Sequence, residues 1–169
     1  LEAPEGGVLQ SVSLAERSTV DVGSDTAGGS FRISGTDQTS VVMHGSVNAR
    51  GDHGGSIEID SGDAVVSPLA TITESGVSNG GSIRLNTMGS AQIAGQLSTR
   101  GDSGVGGNIA LNSAADLLIM PTARLDASGF NGGGRVSTTA ESKLDFLGQA
   151  TVSSENGRGG QIQLGGTDI

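Results

Sequence analysis

The chain has 169 residues, 30 of them glycine, no cysteine, tryptophan or tyrosine, and a formal net charge of −9. That acidic balance argues against nucleic acid and anionic membrane surfaces as partners, and the lack of cysteine excludes a disulfide framework, a cysteine-based metal site and a cysteine nucleophile. No apolar run reaches the ~18 residues of a membrane-spanning helix, so no membrane insertion is expected, and three phenylalanines are too few aromatics for an ordinary globular core.

Gly-Gly doublets punctuate the chain. They begin at Gly6, Gly28, Gly54, Gly80, Gly106, Gly133 and Gly159, at intervals of 22, 26, 26, 26, 27 and 26 residues. The segment 1–27 has the odd interval, and Leu9/Ser11 fit the later pattern poorly. Val12/Leu14 and Val20/Val22 still alternate as strands, so 1–27 reads as a shorter or degenerate first coil.

Regular coils run from 28 to 164. Three and five positions beyond each doublet's first glycine stand Phe31/Ile33, Ile57/Ile59, Ile83/Leu85, Ile109/Leu111, Val136/Thr138 and Ile162/Leu164. Period-2 alternation inside a longer period marks a β-solenoid. The coil from Gly80 adds Ala91/Ile93 and Leu97/Thr99; the next adds Leu117/Ile119 and Leu125/Ala127; the one after adds Leu144/Phe146 and Val152/Ser154. Each coil thus carries three short strands, with Gly, Asn, Ser and Asp at the corners. Glycine is expected there to supply φ > 0. Residues 165–169 read as the cut end of a longer rod. No signal peptide opens the chain, which does not begin with Met; an internal or processed piece of a longer protein is expected.

The predicted fold is all-β: a right-handed parallel β-helix of three short strands and about 26 residues per coil, with roughly six coils and 1–169 as one segment. The outward residue between the two apolar positions of the first strand is Arg32, Glu58 and Arg84 on successive coils, a charge ladder in that register. Both ends would expose unpaired strand edges, so end-to-end self-association is expected.

Gly106–Asp116 (GGNIALNSAAD) and above all Gly132–Leu164, with Leu144-Asp145-Phe146 and the Asn156-Gly157 corner, resemble the filamentous-haemagglutinin-like exoproteins. These are the large passengers of two-partner secretion in Gram-negative bacteria. The resemblance covers Gly28 to Leu164. It implies a right-handed β-helix, export through an outer-membrane partner transporter, a secreted location at the bacterial cell surface and a role in adhesion. The Asn-Pro motifs of that family's secretion domain are absent, so this segment resembles shaft.

Candidate chemistry is sparse. Arg50-Gly51-Asp52 and Arg100-Gly101-Asp102 lie at the corner before a doublet, where both should be exposed. Such a tripeptide can offer a guanidinium and a carboxylate to an integrin-type host-cell receptor. The plainer reading is that Gly and Asp are ordinary corner residues and that Arg recurs by repeat ancestry; the equivalent corners read Ser75-Gly76 and Ser128-Gly129. His44 and His53 are too few for a zinc site or a triad and read as surface histidines. Asp52, Asp60, Asp63 and Asp102 lack the nonapeptide spacing of calcium-binding β-rolls. No catalytic, metal or cofactor residue is assigned and no enzyme is expected. The leading expectation is a structural shaft. A receptor-binding module and a polysaccharide-processing β-helix, with a glycan partner, are the alternatives.

Overall fold

The structure is a computed structural model and describes residues 11–168. The Gly6 doublet, Leu9 and Ile169 lie outside the described residues. Among those described there are 19 strands and no helix. Seventeen of the strands, one of them serving two faces, stack into three faces that run the length of a parallel β-solenoid of six turns.

The first face stacks Ser30–Ser34, Ser56–Ser61, Ser82–Thr87, Asn108–Ser113, the start of Arg135–Phe146, and Gln161–Asp168. The second stacks Ser11–Leu14, Ser40–Met43, Asp63–Val66, Ala91–Ile93, Leu117–Ile119 and the end of Arg135–Phe146. The third stacks Thr19–Asp21, Ser46–Asn48, Thr71–Thr73, Gln96–Ser98, Arg124–Asp126 and Gln149–Thr151. Every pairing is parallel and joins equivalent residues one coil apart. The 12-residue strand Arg135–Phe146 passes from the first face to the second without a break. It thereby merges the two into one 11-stranded sheet.

The alternation read in the sequence is the alternation of the core. Phe31, Ile57, Ile83, Ile109, Val136 and Ile162 form one inward stack, and Ile33, Ile59, Leu85, Leu111, Thr138 and Leu164 the next. The second face contributes stacks headed by Val12 and Leu14, the third a stack headed by Val20. Away from the ends these side chains are buried. Each fully buried Ile or Leu contributes about 1.5–3 kcal/mol relative to leaving it in water. Small and aliphatic groups fill most of this narrow axis, which is why the chain manages with so few aromatics. The outward charge ladder forms at its start: Arg32 Nη1 lies 3.4 Å from Glu58 Oε2, and Nη2 reaches Asp60 Oδ2 at 3.4 Å.

The corner glycines have a different cause from the one expected. At none of the glycines from Gly23 to Gly165 does φ fall in the left-handed region. Most of them are required by close approach of backbone to backbone. Gly95 shows this: a Cβ there would stand 2.6 Å from both Ser67 O and Ala70 O on the coil before. The left-handed residue among the non-glycine positions is Arg17, with φ 64°.

The corner from the second to the third face also reveals a period the sequence reading missed. It is a four-residue turn at Ala15–Ser18, Ser67–Ala70 and Met120–Ala123, closed by N–H donation from Ser18, Ala70 and Ala123. On the intervening coils it is cut to two residues, His44-Gly45, Ala94-Gly95 or Leu147-Gly148, with the glycine seated against that turn. This corner therefore repeats every two coils, although the faces repeat every coil.

Candidate functional site

The corner from the third face to the first carries both Arg-Gly-Asp tripeptides. Gly51, Gly76, Gly101, Gly129 and Ser154 are bridged in parallel one above another along it. Before them stand Arg50, Ser75, Arg100, Ser128 and Ser153, and after them Asp52, Val77, Asp102, Phe130 and Glu155. Asp102 N donates to Gly76 O and Phe130 N to Gly101 O, which seats each residue over its neighbour. From Asp52 onward carboxylates at Asp52, Asp102 and Glu155 alternate with apolar groups at Val77 and Phe130, while the coil before places Asp25 next to Asp52.

The tripeptides are part of this stack and do not stand out from it. Arg50, Arg100 and Asp102 are exposed, Asp52 is half-buried, and Gly51 and Gly101 are buried. A Cβ on Gly51 would collide with Gly28 N, so glycine is demanded by packing. The charged groups are engaged locally. Ser78 Oγ donates to Asp52 Oδ1 at 2.7 Å, and His53 Nε2 lies 3.7 Å from Asp52 Oδ2. Arg50 Nη2 lies 3.9 Å from Asp102 Oδ2, which links the two tripeptides directly. Arg100 Nε is 3.9 Å from Asp126 Oδ2, while Asp126 Oδ1 accepts from Ser128 N at 3.0 Å. Exposed pairs of this kind contribute about 0–1 kcal/mol each.

The remaining sequence candidates are dispersed. His44 is half-buried on the second face and His53 is exposed at the corner. Asp60 accepts from Asn86 Nδ2 at 2.8 Å on the first face, and Asn86 Oδ1 in turn accepts from Asn112 Nδ2 at 2.9 Å. Asp63 Oδ1 accepts from Ser90 N at 2.7 Å. Among the described residues no three His, Cys, Asp or Glu converge as a metal-binding set.

One ionisable group that the sequence reading passed over is buried. Glu74 follows the third-face strand Thr71–Thr73 and shares an inward stack with Ala49, Thr99 and Ala127. Its side chain is 0% exposed. Oε2 accepts from Ser82 N at 3.0 Å, in the space left by the missing Cβ of Gly81. Oε1 has no hydrogen-bond partner, nor has Thr99 Oγ1 on the next coil. Desolvation pushes the carboxyl from 4.5 up to about 8, against the smaller opposing effect of the Ser82 hydrogen bond. Glu74 is therefore a neutral acid at pH 7. Sealed in the core, it bears on stability. The only signal for it in the sequence was a charged residue at a position where other coils have Ala, Thr or Val.

No family model matches this chain, and neither the curated proteins nor the solved structures include one detectably similar to it.

Proposed function

We propose that this chain is a shaft segment of a secreted bacterial surface adhesin of the filamentous-haemagglutinin type, exported through an outer-membrane partner transporter. One observation carries the reading. All three faces continue without interruption, six strands each, and no corner among the described residues departs from the stack to build a separate domain. At ~4.8 Å per coil the six turns form a rod about 30 Å long. Each coil touches mainly its neighbours, so such a rod extends by adding coils. Its work is to hold adhesive regions away from the cell. The residues that prompted the family resemblance, Gly132–Leu164, support the same reading.

Antibodies raised against this chain test it. Surface labelling of the producing cells is expected, and deletion of the partner transporter should abolish it. Labelling confined to the cytoplasm would overturn the reading.

A further inference from the structure

The ridge formed by Asp52, Val77, Asp102, Phe130 and Glu155 has properties that a plain spacer does not require. Val77 and Phe130 are 54% and 41% exposed, two coils apart on the same ridge. Phe130 borders a surface cavity of about 250 Å³, lined also by Arg100, Asp102, Asp126 and Glu155. Glu155 is exposed and belongs to none of the ion pairs among the described residues. The cavity therefore offers an aromatic face, a guanidinium and carboxylates within one small volume.

We propose that this corner binds a β-1,4-linked polysaccharide of neutral or amino sugars, laid along the solenoid axis with one disaccharide to every two coils. Three observations converge on that class. The apolar platforms suit the C–H faces of sugar rings, while the flanking Arg and Asp groups suit their hydroxyls. From Asp52 to Glu155 like groups recur every second coil, about 10 Å at ~4.8 Å per coil. In an extended β-1,4 chain each sugar is turned over relative to the last, so the same ring face also returns at every second unit. Charge selects among such chains. Two arginines, Arg50 and Arg100, face four carboxylates, Asp52, Asp102, Asp126 and Glu155. That excess repels polyuronates and sulfated glycans and favours neutral or cationic ones. The inference stands on this corner and does not depend on how the rod is exported.

Titration of the folded chain with chito-oligosaccharides, their deacetylated forms and oligogalacturonates tests it, read by calorimetry and by amide chemical shifts. Affinity should rise from the disaccharide to the hexasaccharide, with shifts confined to Arg50–Asp52, Ser75–Ser78, Arg100–Val105, Ser128–Asn131 and Ser153–Glu155. Phe130→Ser should weaken binding about tenfold. Glu155→Gln should weaken binding of the deacetylated oligomers more than of the acetylated ones. Both positions are exposed, so both variants should unfold at the wild-type temperature. Absence of binding at millimolar sugar overturns the proposal. So does unchanged affinity in both variants, or tighter binding of the oligogalacturonates.

Discussion

Arg50 Nη2 and Asp102 Oδ2 lie 3.9 Å apart, so the arginine of one Arg-Gly-Asp tripeptide is held by the carboxylate of the other. The two motifs are 50 residues apart in sequence and two coils apart along one corner, with Val77 on the coil between. A receptor that captures this tripeptide needs guanidinium and carboxylate free and splayed from a projecting loop. Here the glycines are buried and the charges satisfied within the ridge. Asp52→Glu and Asp102→Glu should therefore support the same cell attachment as wild type. A loss of attachment in either variant, with the fold intact, would show that the corner opens to a receptor.

The exposed pair should also matter little to folding. Arg50→Ala is expected to change the unfolding free energy by less than about 1 kcal/mol, because solvent and salt screen it. Urea denaturation at low and high salt would measure the difference. A larger effect would mean that the corner is more rigid than its exposure implies.

Glu74 should give the fold an unusual pH dependence. Its folded-state carboxyl is raised to about 8 from an ordinary 4.5. Between those values the unfolded chain releases a proton that the folded chain keeps, so stability falls as pH rises. The contribution is complete below about 4.5 and gone once pH passes through about 8. At ~1.4 kcal/mol per unit the loss is on the order of a few kcal/mol. Glu74→Gln should remove that slope and exceed wild type in stability above pH 8. Denaturation midpoints for both proteins across this range would settle it, and a flat wild-type profile would contradict a buried neutral acid.

Ile83 lies in the middle of the first inward stack, between Ile57 and Ile109. Ile83→Asp places a carboxylate on a dry axis with no partner. The expected cost is several kcal/mol, large enough to unfold the central coils. Circular dichroism during thermal unfolding would register it. Wild-type stability in this variant would require a different register for the whole first face.

Stability should fall away toward both ends. Among the described residues Ser11–Leu14 and Thr19–Asp21 pair on one side only, and so does Gln161–Asp168, where Ile162 and Leu164 are 45% and 40% exposed. Their amides should exchange well before those of Ile83 and Ile109. The open edge with Ile162 and Leu164 should also drive end-to-end association at high concentration, which Ile162→Lys should suppress. Uniform protection from Val12 to Leu164 would point to a cap over the first coil.

Doublet spacing and period-2 alternation were enough to identify a solenoid, its coil length and the inward partners of Ile83 and Leu85. Those features are local or strictly periodic: a side chain on a strand faces in or out by parity alone, and a constant interval places equal parities in one stack. The pairing of Arg32 with Glu58 was legible for the same reason. The two-coil period of the corner from the second to the third face was not, because it depends on which backbone segments nest against one another. Gly95 looks like any other corner glycine until the carbonyls of Ser67 and Ala70 are seen beneath it. The corner ridge, the link from Arg50 to Asp102 and the cavity beside Phe130 likewise exist only once coils are stacked, since each joins residues of different coils. Glu74 makes the same point about charge. Its sequence neighbours do not distinguish it from a surface acid, and only enclosure by the next coils takes its carboxyl out of water.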